Sequence, residues 1–147
     1  MVKFIAHRAN TEGRDPSNEN KIDYILYALN LNYGVELDVL EYNDKLYLGH
    51  DEPQEELPLE LLYKPDIFVH VKNLTALEKL IKFNCNVFWH QKDSVTITNH
   101  GYIWCYPGVY VNSFKAVWVE FPDKLLPKKI KNIYGICSDE YKKDYFK

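Results

Sequence analysis

Residues 33–51 read YGVELDVLEYNDKLYLGHD, and the alternation within this stretch decides the fold. Val35, Leu37, Val39 and Leu40 make an apolar strand that carries Glu36 and Asp38 on its other face. Side chains two apart on a strand point the same way, so the two carboxylates converge on one spot. Adjacent carboxylates repel and favour a cation between them; oxygen-rich pairs suit Mg²⁺, Ca²⁺ or Mn²⁺. Residues 45–48 form a return segment ending in Gly49, His50 and Asp51, which brings a histidine back to the neighbourhood. That is the pattern of a site rather than of packing alone.

Upstream, residues 2–6 are a compact apolar run closed by His7 and Arg8, a buried strand emptying into a polar loop. The loop, ANTEGRDPSN, is rich in turn formers. Ser17 or Asn18 is expected to cap a helix carrying Ile22, Ile25, Leu26 and Leu29, with Gly34 just past its end. Downstream, LPLELLYKP predicts a short helical turn bounded by prolines. Residues 67–71 predict a strand holding His70 and leading to Lys72. Asn73 or Thr75 starts a second helix with Leu77, Leu80 and Ile81. Further strands are expected at residues 86–89, 102–106, 117–120 and 133–137.

The early strand–helix alternation points to an α/β domain with a parallel sheet and right-handed crossovers, spanning residues 1–147 as one unit. Strand after strand ends in polar groups: His7-Arg8, Glu36 and Asp38, His70 and Lys72, His90, Glu120 and Asp139. In β/α barrels, functional groups sit at the C-terminal ends of the strands.

Composition bounds the function. With 46% hydrophobic and 27% charged residues, the chain has ordinary globular character. A net charge of −3 offers no basic footprint, so nucleic acid is not an expected partner. Twelve tyrosines point to amphipathic surfaces such as a sugar-facing cleft or a subunit contact. Cys85, Cys105 and Cys137 sit in apolar runs without CxxC spacing, as expected in a reducing compartment. The first ten residues hold too short an apolar core for a signal peptide, and no run reaches membrane-spanning length. A cytoplasmic protein is the expectation.

These residues, in this order, resemble the glycerophosphodiester phosphodiesterase family of the PI-phospholipase-C-like superfamily. That pattern has a strand ending in His-Arg (His7-Arg8) and a loop leading to Glu-Asn (Glu19-Asn20). It continues with Glu-x-Asp-Val (Glu36 to Val39) and a strand pair ending in His-Asp (His50-Asp51). The resemblance is dense over residues 4–51 and thins afterwards. The family's next strand carries Glu-x-Lys, where this chain has His70-Val71-Lys72. GICSD, residues 135–139, resembles its last strand.

The resemblance implies a TIM-type β/α barrel, and at 147 residues a shortened or incomplete one, since a full barrel takes about 250. The barrel is then trimmed, open, or completed by a partner subunit in a homo-oligomer. It also implies metal-dependent hydrolysis of a small phosphodiester, linked to glycerol or to a glycan. His7 and His50 are the acid–base pair, each worth about 10²–10⁴-fold. Arg8 and Lys72 are the phosphate-binding cations. Glu36 and Asp38 are the ligands of a divalent ion (Mg²⁺, Mn²⁺ or Ca²⁺), with His70 or Glu120 as third ligand. A His in that place favours softer ions such as Mn²⁺ or Zn²⁺ over Ca²⁺. Two other functions fit the same residues: a non-catalytic barrel remnant binding a phosphorylated glycan or partner protein, and a lyase that stops at a cyclic phosphate. Structural readings stand beside these. Glu36 and Asp38 fit a solvated strand face, His50 a turn hydrogen bond, and His70 a satisfied core histidine. His90 is expected to line the site and His100 to sit on the surface.

Overall fold

The nine residues Gly34–Tyr42 make the strand to which the rest of the sheet is added. The computed structural model describes residues 1–146. Its elements, in chain order, are β1 (Lys3–His7), α1 (Ile22–Asn30), β2 (Gly34–Tyr42), β3 (Lys45–Leu48) and β4 (Glu55–Glu56). A 3₁₀ turn (Leu59–Tyr63) precedes β5 (Ile67–Val71), α2 (Leu74–Leu80), β6 (Asn86–Phe88) and β7 (Val95–Ile97). The chain closes with β8 (Ile103–Cys105), β9 (Ala116–Val119), β10 (Gly135–Ser138) and a second 3₁₀ turn (Lys143–Phe146).

The result is a mixed α/β domain with one ten-stranded sheet. β2 pairs parallel with both β1 and β5, and its far end pairs antiparallel with β3. Parallel pairing runs through β6-β5-β2-β1-β10-β9-β8. β4 and β7 are antiparallel additions. No helix among the described residues is long and apolar enough to cross a membrane.

Strand parity sorts the side chains into two layers. Phe4, Ala6, Val35, Leu37, Val39, Ile67, Val69 and Val71 point outward and pack with Ile25 and Ala28 of α1 and Ala76 and Leu80 of α2. The opposite parity gathers Ile5, Phe68, Phe88, Trp104, Val117, Val119 and Cys137 into an inner cluster. A third cluster, with Trp118 and Ile136, backs β8 to β10, where irregular segments stand in for helices.

The inner cluster demonstrates that the sheet curls. β6 and β8 are six inter-strand steps apart in the pairing order, about 29 Å on a flat sheet. Yet the rings of Phe88 and Trp104 stack with centroids 4.5 Å apart. The ladder itself stays open, because no strand pairing joins β6 to β7 or β8 among the described residues. Individual hydrogen bonds bridge that gap: Asn99 N to Val87 O (3.1 Å), Val87 N to Asn99 Oδ1 (2.9 Å) and Thr96 Oγ1 to Trp89 O (2.9 Å).

The helix signals are half as expected. Asn73 caps α2, its side chain accepting from Ala76 N. Ser17 and Asn18 do not cap α1; both bond Asp15 in a tight turn instead. The helix starts four residues after Asn18, and Glu55 accepts from Ile22 N at 2.7 Å, a cap supplied from across the chain. Asn32, at φ 66°, takes the left-handed position after α1, and Gly34 opens β2.

Phe88 is buried between Trp104 and His70. Phe88→Ala is therefore expected to cost about 3–5 kcal/mol in chemical denaturation. Ile97→Ala, at an exposed position, should change stability by no more than about 0.5 kcal/mol.

Candidate functional site

On β1, β2 and β5 the inward-facing positions become ionisable as the strand nears its C-terminal end. On β1 the inward pair is Ile5 then His7, and on β5 it is Phe68 then His70. On β2, Glu36 and Asp38 follow Gly34. The register sets His7 beside Glu36 and Asp38 beside His70. Glu36 and Asp38 are only 2% and 1% exposed, so burial penalises their charges and each must be matched.

The matching divides each carboxylate's two oxygens. Glu36 Oε2 accepts from the backbone N of Arg8 at 3.1 Å and lies 3.9 Å from His7 Nε2. Asp38 Oδ2 accepts from Asn20 Nδ2 at 3.0 Å and faces Arg8 Nε at 2.9 Å. Asn20 Oδ1 in turn accepts from Asp38 N at 2.9 Å. The remaining oxygens, Glu36 Oε1 and Asp38 Oδ1, each lie 3.5 Å from His70 Nδ1. Lys72 Nζ is 3.7 Å from Asp38 Oδ1.

His70 has a fixed tautomer. Its Nε2 is 2.9 Å from the backbone oxygen of His90, which can only accept, so Nε2 carries a proton and donates. With Nε2 so committed, Nδ1 of the neutral ring is a lone pair aimed between two carboxylate oxygens. The three donor atoms lie within 4.8 Å of one another. Such a convergence of acceptors requires a cation, either a proton on Nδ1 or a metal ion, and the donor set fits a divalent ion.

Arg8 is held from several sides. Its Nη1 reaches Glu19 at 3.2 Å, and Arg8 O accepts from Asn20 N at 3.1 Å. Its backbone sits at φ 50°, followed by Ala9 at 68°, and Asn20 at 60° faces them. Three non-glycine residues in the left-handed region at one place are strained backbone, of the kind that clusters at functional sites. Among the described residues Arg8 Nε is buried without a hydrogen-bond partner, although Asp38 Oδ2 lies 2.9 Å away.

His7 Nδ1 lies 2.8 Å from Asp139 Oδ1, at the end of β10. Burial opposes the imidazolium, but the charge of Glu36 and the hydrogen bond and charge of Asp139 outweigh it, so the His7 pKa lies above its ordinary value. Glu36 moves the opposite way: burial would raise it, yet His7, His70 and Arg8 together hold its carboxyl well below the usual range. Asp139 is likewise lowered, burial being overcome by His7 and Asn10.

His50 enters by way of the β3 return. Gly49, at φ 144°, makes the turn, and a Cβ there would lie 2.1 Å from Glu52 O. His50 is partly exposed and its Nδ1 pairs with Asp51 at 2.8 Å. His7, Arg8, Glu36, His50, His70 and Lys72 all line one cavity of about 340 Å³. The same cavity is also lined by His90, Gln91, Trp104, Tyr106, Pro107 and Phe121, the last packed edge-on against the His7 ring with centroids 5.3 Å apart. Asp38, 1% exposed, is not among the residues that line the cavity.

Glu120 is not in this group. Val117 and Val119 face the interior, so parity turns Glu120 outward. There it bonds Ser138 Oγ and Lys142 Nζ, each at 3.1 Å, and Tyr145 Oη. Of the two candidates for third ligand, only His70 stands beside Glu36 and Asp38. The sequence reading leaves Asp139 as one polar strand end among several and Asn20 as part of the loop motif; the structure brings both to the site. Asp139's position at a strand's C-terminal end was the available signal. His90 lines the cavity, and His100 is exposed.

No family model, curated protein or solved structure matches the chain.

The raised His7 pKa has a consequence for the metal-free protein. Stabilisation from holding this proton is complete below the unfolded pKa of about 6.5 and is lost as pH rises through the higher folded value. Asp139→Asn removes a negative partner, so it should lower the His7 pKa. NMR titration of the imidazole resonances checks this; an unchanged midpoint contradicts it.

Proposed function

We propose that this chain is a metal-dependent phosphodiesterase of the glycerophosphodiester phosphodiesterase type, built on a shortened, open β/α barrel. The observation that carries the reading is the convergence of His7, Arg8, His50 and Lys72 with Glu36 and His70 on one cavity. The curled parallel sheet, with this cavity at the C-terminal ends of its strands, supports the barrel reading. The cavity volume of about 340 Å³ is at the small end for ligand sites and favours a small phosphodiester of glycerol or a sugar.

Glu36, Asp38 and His70 would hold the divalent ion, which supplies positive charge to a phosphate oxygen and acidifies the attacking hydroxyl. Arg8 and Lys72 bring two further positive charges to the anion, Arg8 with donors in a fork that matches phosphate geometry. His7, held by Asp139 through Nδ1, presents Nε2 to move a proton on one side of the phosphorus. His50, at the cavity's rim, handles the proton on the other. Trp104, Tyr106 and Phe121 narrow the cavity and exclude water from the substrate's alcohol portion.

Turnover of bis(p-nitrophenyl) phosphate with added Mg²⁺, Mn²⁺ or Ca²⁺ tests the reading. His7→Ala and His50→Ala should each lower kcat/KM by about 10²–10⁴-fold. A rate that neither substitution changes overturns it. Phosphorus NMR of the products from a glycerophosphodiester reads out whether the reaction ends at the monoester or at a cyclic phosphate.

A further inference from the structure

The division of carboxylate oxygens around Glu36, Asp38 and His70 carries a statement about which ion the site takes. It rests on the metal-site reading above. Glu36 Oε2 is engaged by Arg8 N, and Asp38 Oδ2 by Asn20 Nδ2 and the Arg8 guanidinium. Only Oε1 and Oδ1 turn towards His70 Nδ1. Each carboxylate is thus restricted to one ligating oxygen, and the third donor is an imidazole nitrogen whose tautomer the His90 carbonyl fixes. We infer that this group selects a first-row transition dication such as Zn²⁺ or Mn²⁺ over Ca²⁺ and Mg²⁺.

The chemistry follows from donor type and count. Ca²⁺ takes six to eight oxygens and gains much of its affinity from bidentate carboxylates. Here the second oxygens are occupied by Asn20 and Arg8, and rotating either carboxylate would break those bonds. Mg²⁺ demands near-ideal octahedral oxygen ligation and gains little from a nitrogen. Imidazole nitrogen suits Zn²⁺ or Fe²⁺, and two carboxylate oxygens beside it also accept Mn²⁺. The hydrogen bond from Nε2–H to a backbone carbonyl is the outer support that such ligating histidines normally have. The protein cations nearby, Arg8 at 2.9 Å and Lys72 at 3.7 Å from Asp38, add a charge penalty that only a tightly coordinating ion overcomes.

The test is direct binding to chelator-treated full-length protein, by calorimetry with Zn²⁺, Mn²⁺, Ca²⁺ and Mg²⁺ in turn. ¹⁵N NMR of the histidines follows the nitrogens during the Zn²⁺ titration. The expected result is Zn²⁺ or Mn²⁺ binding at least about 100-fold tighter than Ca²⁺ or Mg²⁺, with the His70 Nδ1 resonance shifting on Zn²⁺ addition. His70→Gln should erase most of that preference. Ca²⁺ or Mg²⁺ binding as tightly as Zn²⁺ overturns the selectivity and leaves the metal site standing. Zn²⁺ binding without a shift at His70 Nδ1 overturns it as well, since the ion then sits elsewhere. If none of the four ions binds, the metal-site reading itself falls.

Discussion

Two carboxylates buried two residues apart on one strand are the constraint around which this molecule is arranged. Leaving the buried Glu36 and Asp38 unmatched would cost several kcal/mol each. The surroundings answer with Arg8, Lys72, His7 and His70, and with the two-way hydrogen bonding between Asn20 and Asp38. Positions that would hold Ile or Leu in a purely structural sheet hold charge instead. The apolar half of the interior, from Ile5 to Trp104, lies below them and keeps the strands in place.

The same constraint explains the strained backbone. Arg8 can place both its amide and its guanidinium against the two carboxylates only because the chain turns left-handed at Arg8 and Ala9. Asn20, also left-handed, closes the loop by bonding Arg8 O. The sheet's curl has a comparable role. It brings β8 within reach of β6, so that Trp104 and Tyr106 line the same cavity as His70, whose ring is oriented by the His90 carbonyl just past the neighbouring strand β6.

Much of this was legible in the sequence because it is local. The alternation in residues 34–39 places Glu36 and Asp38 together, and strand parity alone sets most of the inner and outer layers. Asn73 reads correctly as a cap because its partner is three residues away. What was not legible depends on distant parts of the chain. The His7–Asp139 pair joins residues 132 positions apart, and the cap on α1 comes from Glu55, 33 positions away. Ser17 and Asn18 have the right chemistry for capping, but Asp15 captures both. Glu120 is the instructive exception. Its strand, residues 116–119, is apolar and buried throughout, so the pattern does not say which face turns inward, and Glu120's direction stayed open although the strand itself was legible.

The most direct measurement is a crystal structure grown with Mn²⁺ and glycerol 3-phosphate, with anomalous data to locate the metal. The account predicts an anomalous peak bonded to Glu36 Oε1, Asp38 Oδ1 and His70 Nδ1, with the phosphate lying between that ion, Arg8 and Lys72. A metal bound elsewhere, or a phosphate out of reach of both His7 and His50, would contradict it.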